Sequence, residues 1–295
     1  MGRSPIDWVP PGAWLTPGYA EWAPPAALRG AIACLWARVT PDVAGQPDRS
    51  TQSGLVLPDA CSDLIWERGV GAYIAGPDTG PARPEIKPGT VIIGIRFRPS
   101  AGGQVLKTPL SEIANQRVPL ADLLPSAARR LPPSLDPEEA ADRVLAITGG
   151  LVVDGVPDRA MARAAVMLRN PAARAEAVAA EVGLSERQFR RRSQAAAGYG
   201  PKTLQRVLRF HRFVRLLDAP FLVHTPPDAH APADAHAPAD ARTFGEVGTA
   251  AAPPDLAALA AQAGYADQAH LTRECSALSG FTPAALARVR RTRQG

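Results

Sequence analysis

The chain has 295 residues, a formal net charge of +5 and three cysteines. That length holds two ordinary domains with a core each, and Cys34, Cys61 and Cys275, odd in number and without a C-x-x-C pair, exclude a disulfide framework and a structural zinc site. The start MGRSPIDWVPPG carries Pro and Asp where a signal peptide needs an apolar run, and no stretch approaches the ~18 apolar residues of a membrane span, so a cytoplasmic protein with no membrane partner is expected.

All five tryptophans, Trp8, Trp14, Trp22, Trp36 and Trp66, lie near the start, and all five histidines, His211, His224, His230, His236 and His270, lie in the last third. Two domains of different composition follow. In the first, SGLVLPDACSDLIWERG and GTVIIGIRFRPS read as strands bounded by Gly, Pro and Asp. The second alternates, with Val91, Ile93, Ile95 and Phe97 on one face and Ile92, Gly94, Arg96 and Arg98 on the other. A β-rich domain over 1–130 is predicted. Arg96 and Arg98, near the acids Asp63 and Glu67, read either as an effector-binding pair for an anion or as ordinary ion-pair partners. The arm from Trp8 to Pro25 reads either as a regulatory latch or as rings packed against the β-rich domain. No histidine precedes His211, which argues against a cupin-like metal site, and no phosphate-binding glycine loop, G-x-S-x-G or H-E-x-x-H is present. No cofactor and no metal are expected.

The pattern turns helical with DPEEAADRVLAITGGLV, where Asp136 is the expected N-cap and Pro137 the first helical residue, in a helical linker region over 131–156. The segment RNPAARAEAVAAEVG predicts a helix capped by Asn170, with Pro171 at its first position, Val178, Ala179 and Val182 on one face and a stop at Gly183. Ser185 and Gln188 then form an S-x-x-Q capping box that opens a second helix. LAALAAQAGYADQAHLTRECSALSGFTP repeats the plan: Ala179 and Gly183 correspond to Ala260 and Gly264, Leu184 to Tyr265, Ser185 to Asp267, and Phe189 to Leu271. Small residues let paired helices approach, and glycine permits a left-handed turn. The expected fold class is α+β overall, a β-rich N-terminal domain followed by an all-α domain with two helix-turn-helix motifs, at 171–195 and 255–278.

Charge gathers on this half. Arg187, Arg190, Arg191, Arg192, Lys202, Arg206, Arg209, Arg212 and Arg215 stand against Glu186 alone between residues 186 and 215. If Phe189 is buried, Arg187, Arg190 and Arg191 project from the far side of their helix, where a major groove would lie. Arg192 sits toward the flank, placed for a phosphate. Arginine pairs bidentately with guanine, so the run reads as a double-stranded-DNA surface.

The two motifs, the intervening helix PKTLQRVLRFHRFVRLLDA over 201–218 and the closing GFTPAAL resemble the DNA-binding domain of AraC/XylS-type transcription regulators, over 157–295. The resemblance implies a regulator whose base-reading candidates are Arg187, Arg190 and Arg191 in the first motif and Gln268, Ala269, Thr272 and Arg273 in the second. It further implies RNA polymerase, a small-molecule effector and a second copy of the chain as candidate partners. Ser193 and Cys275 stand where the family usually has an aromatic, and Ala269 offers only a methyl, so the second motif is expected to read less sequence than the first. More weakly, LPDACSDLIW, AGP and IGIRFRPSAGG resemble the β-rich region on some of these regulators, usually assigned to sensing or self-association.

DAHAPADAHAPADA, from Asp228 to Ala241, is too polar and Pro-rich to fold alone, and 224–253 reads as a disordered insert dispensable for DNA binding. The alternative of another class is a DNA-binding module fused to an alkyl-transfer-like enzymatic domain. It would need a reactive cysteine, and Cys34 and Cys61 lack a cationic or histidine activator nearby in sequence.

Overall fold

The computed structural model describes residues 17–41, 54–155, 158–218 and 254–292. Trp8, Trp14 and the 224–253 insert, including His230 and His236, lie outside them.

Among the described residues six strands form one antiparallel sheet: β1 (Gly18–Trp22), β2 (Ile32–Val39), β3 (Ser62–Glu67), β4 (Gly71–Ala75), β5 (Val91–Phe97) and β6 (Arg117–Pro119), in the order β1-β2-β5-β3-β4-β6. Glu67 pairs with Gly71 across the β3–β4 hairpin, and the positive φ of Gly69 (80°) and Gly71 (104°) lets the short connection follow the strand twist. β5 is central. Ile93, Ile95 and Phe97 join Leu35, Leu64, Trp66 and Ile74 in an apolar layer covered by α4 (Pro137–Asp154), through Ala140, Ala141, Val144 and Leu145.

The face of β5 that carries Ile92, Gly94 and Arg96 is largely covered as well. Ile92 is buried too, in a second cluster with Cys34, Trp36, Ile65 and Ala75. Gly94 makes this possible: a Cβ there would stand 2.2 Å from Trp36 Cε2, so the indole lies flat where any side chain would displace it.

α4 begins as its sequence predicts, with Pro137 first and the Asp136 carboxylate accepting from the Glu138 amide at 2.9 Å. It is more than a linker, because Leu131, Leu135 and its inner face are part of the sheet's core. Three short helices, α1 (Gly102–Val105), α2 (Leu120–Leu123) and α3 (Pro125–Ala128), fill the connections.

The helical half comprises α5 (Arg159–Met167), α6 (Ala175–Glu181), α7 (Glu186–Ala197), α8 (Pro201–Asp218), α9 (Leu256–Ala263), α10 (Gln268–Ser279) and α11 (Pro283–Thr292). α8 is the spine. Leu204, Val207, Phe210, Phe213, Val214 and Leu217 recur at helical spacing and are buried, between Phe189 of α7 and Leu271 and Cys275 of α10. Its last residue, Asp218, accepts a bidentate pair from Arg290 of α11 at 2.8 and 2.6 Å, with both side chains 8% exposed. Leu55, Leu57 and Ala60, from the loop before β3, lie in this same helical core. The two halves therefore share an apolar boundary.

Candidate nucleic-acid interface

The two helix–turn–helix units are built with the same hydrogen bonds. At the end of α6 the Gly183 amide donates to Ala180 O and the Leu184 amide to Ala179 O; at the end of α9 Gly264 donates to Ala261 O and Tyr265 to Ala260 O. Both glycines have left-handed φ, 70° and 88°, as this type of C-terminal turn requires. At Gly264 a side chain is barred twice, since a Cβ would stand 2.1 Å from Pro171 Cβ of the other unit.

Each second helix then starts on a side-chain cap. Ser185 Oγ accepts from the Gln188 amide at 3.3 Å while Gln188 Oε1 accepts from the Ser185 amide at 3.0 Å, completing the capping box. Asp267 Oδ1 accepts from the His270 amide at 2.6 Å. Replacing Ser185 with alanine removes an acceptor for an otherwise orphaned amide and is expected to cost about 1 kcal/mol, read as a lower melting temperature with faster amide exchange in the first turn of α7. Both α7 and α10 stop at left-handed glycines, Gly198 (φ 81°) and Gly280 (φ 73°). Ser193 and Cys275 have uses of their own: Ser193 Oγ donates to Tyr199 O at 2.7 Å, and Cys275 Sγ lies 3.6 Å from Ser279 Oγ.

One boundary moves. α6 begins at Ala175, not at Pro171, because Asn170 caps a turn, its Oδ1 accepting from the Ala172 amide at 3.0 Å, and Pro171 wedges against Gly264.

Phe189 is 2% exposed and Ser193 fully buried, which turns Arg187, Arg190 and Arg191 outward, all exposed. On α10 Leu271 is buried while Gln268, Ala269 and Arg273 are exposed and Thr272 is half-buried, its Oγ1 donating back to Gln268 O at 2.8 Å. Among the described residues no carboxylate pairs with Arg187, Arg190, Arg191 or Arg273. Arg192, expected to meet a phosphate, is exposed like its neighbours and has an acid within reach. It pairs at 3.5 Å with Asp158, the N-cap of α5, so its charge already has a protein partner. Nothing in the local sequence signals that pair, whose members are separated by all of α5 and α6.

Both units touch the sheet domain. Tyr199 OH donates to Asp78 O at 3.3 Å, Gly198 packs on Pro77, and the Arg83 guanidinium lies 5.1 Å from the centre of the Phe281 ring. α1 abuts α7 so closely that a Cβ on Gly103 would stand 2.2 Å from Ala195 O.

Arg96 and Arg98, the pair that could hold an anionic effector, both have partners within the protein. Arg96 Nε lies 3.1 Å from Asp63 and 3.4 Å from Asp59, and its Nη1 3.8 Å from Glu21, in a nearly buried cluster. Three acids face this one guanidinium, so the cluster has no excess positive charge to attract an anionic ligand. Arg98 donates elsewhere, to Arg29 O at 2.6 Å. Around Arg96 stand residues that no sequence motif singles out, Tyr19 stacked on Trp36 with centroids 5.8 Å apart and Trp36 Nε1 donating to Asp63 at 2.7 Å. Burial holds the Asp63 carboxyl above its usual range, opposed by the nearby Arg96. Burial, and then the acid Glu21 for Cys34 and Asp59 for Cys61, push both thiols well up. Among the described residues no group of three or more His, Cys, Asp or Glu could hold a metal ion, and no helix is long and apolar enough to cross a membrane.

The family described as Domain of unknown function (DUF6597) matches residues 20–119, which run from β1 to the end of β6. No curated protein matches the chain. Among solved structures it is similar to the crystal structure of ToxT from Vibrio cholerae O395, with 9% identity and a TM-score of 0.37 over 79% of this chain and 92% of that one.

Proposed function

We propose that the chain is a sequence-specific, double-stranded-DNA-binding transcription regulator of the AraC/XylS type, with α7 and α10 as its two reading helices and the sheet domain as the part that senses an effector or mediates self-association. The observation that carries the reading is the duplicated helix–turn–helix with Arg187, Arg190 and Arg191 exposed on α7 and, among the described residues, no carboxylate pairing with them. A guanidinium row of this kind is costly to keep together without an anion. Arg192, paired with Asp158, is assigned a supporting place at the edge of that surface. Gln268, Thr272 and Arg273 supply the polar groups of the second unit, and Ala269 a methyl contact.

The alkyl-transfer alternative is weakened by the thiols. Cys34 and Cys61 are buried and their environment favours the protonated form, the opposite of what a nucleophilic cysteine requires.

Selection of bound duplexes from a random pool with the full chain tests the proposal. Two units in one chain predict two enriched blocks about 10 to 10.5 bp apart, one helical turn. Recovery of duplexes without any enriched sequence would overturn specific recognition, and absence of duplex binding at low salt would overturn the function altogether.

A further inference from the structure

Between the two helix–turn–helix units lies a cavity of about 450 Å³ whose walls come from the start of α6, from α8 and from α10. Its cations are Arg174, Lys202, Arg206 and Arg209, with His270 at the α10 side; its acids are Glu176 and Glu274. Glu274 is already engaged, accepting from Arg206 Nε at 2.6 Å, and Glu176 is exposed. Positive charge is therefore in excess.

Arg209 is the informative member. Its guanidinium lies 5.7 Å from the Tyr265 ring centre, and its buried Nε finds no acceptor; Tyr265 OH is likewise buried without one. Tyr265 in turn holds His270 edge-on at 5.2 Å. A buried donor left unmatched is expensive, and among the described residues no carboxylate forms an ion pair with this guanidinium, which leaves its charge available to a ligand. Gln205 braces the wall by donating to Ala173 O at 2.6 Å, so α8 and the start of α6 are tied together on either side of the cavity.

We infer that this cavity binds a phosphate group, contributed either by the backbone of a duplex lying across both units or by a small phosphorylated ligand. The inference rests on the proposed DNA-binding function for the first source and stands without it for the second. Arg209 and Lys202 supply the charge, Arg206 stays with Glu274, and the position between the units lets a phosphate here touch both.

The test uses the full chain with Lys202→Gln and Arg209→Gln together. Without its backbone phosphate the complex should weaken roughly tenfold on an enriched duplex and on a mixed-sequence duplex alike. The slope of log affinity against log salt should also flatten by about 0.9 for each phosphate that is no longer neutralised. The charge-keeping change Lys202→Arg with Arg209→Lys should preserve the slope. In a second arm, inorganic phosphate raises the melting temperature of the unmodified chain but not of the Gln variant if the site takes a free phosphate, with the duplex slope unchanged. The inference is overturned if neither the slope nor the phosphate-dependent melting differs between the two proteins, or if the charge-keeping variant is weakened as much as the Gln variant. Should Arg190→Ala with Arg191→Ala abolish sequence preference while the cavity variant behaves as the unmodified chain, the function stands and the cavity assignment falls. If no duplex binds at all, the function falls and the melting arm decides the cavity.

Discussion

Changing Arg190 and Arg191 together to alanine is expected to weaken binding to the selected duplex by about 2 to 6 kcal/mol, at least about thirtyfold, and to erase one of the two enriched blocks. Both side chains are exposed, and Phe189, which anchors the helix, is untouched, so the fold should be unaffected. The effect should be confined to one block because α7 and α10 belong to separate units. Arg273→Ala should affect the other block, and less strongly, since Thr272 already gives its hydroxyl proton to Gln268 O and Ala269 offers only a methyl. Titration of duplexes mutated in each block separates the effects. Equal weakening on all duplexes, with both blocks retained, would mean that these arginines meet phosphates and that bases are read elsewhere.

What was legible in the sequence was local. Ser185 with Gln188, Asp267, and the glycines at 183 and 264 act through hydrogen bonds spanning three to five residues, so their spacing alone announces the turns. The outward row on α7 follows from burying Phe189. Long-range partners left no such trace. Asp158 for Arg192, Asp59 and Glu21 for Arg96, and Trp36 over Gly94 are set by sheet order and domain packing, not by the sequence around them. Asn170 misled for a related reason. Asn and Pro announce a helix start, yet the same pair makes a turn when Pro171 must fill the space opposite Gly264. The segment over 131–156 read as a connector because periodicity reports that a helix has an apolar face and not what covers it.

The Arg96 cluster predicts the largest effect on stability. Replacing Arg96 with methionine leaves Asp63, Asp59 and Glu21 together in a nearly buried site without their counter-charge, which is expected to cost about 3 to 5 kcal/mol. For a chain of this size that is a fall of about 6 to 20 °C in melting temperature. The pH dependence has a definite sign. Burial already raises the Asp63 carboxyl in the folded protein, so the folded state holds that proton more tightly than the unfolded chain. Its contribution is complete below the unfolded value and lost as pH rises through the folded value. Removing Arg96 takes away the influence that opposes burial, so the carboxyl moves higher still. The gap in stability between Arg96→Met and the unmodified chain should therefore narrow between pH 7 and pH 5, and adding Asp63→Asn should recover part of it at pH 7. A gap of equal size at both pH values would show that Arg96 contributes packing and not charge balance. The effect should also reach the helical half. Asp59 is held by Arg96, while Leu57 and Ala60 on either side of it lie in the core with Phe189 and Phe210. Freeing Asp59 loosens the strand of chain that joins sheet to helices, and amide exchange should quicken in α7 as well as in β3 and β5, even though no residue of α7 has been changed.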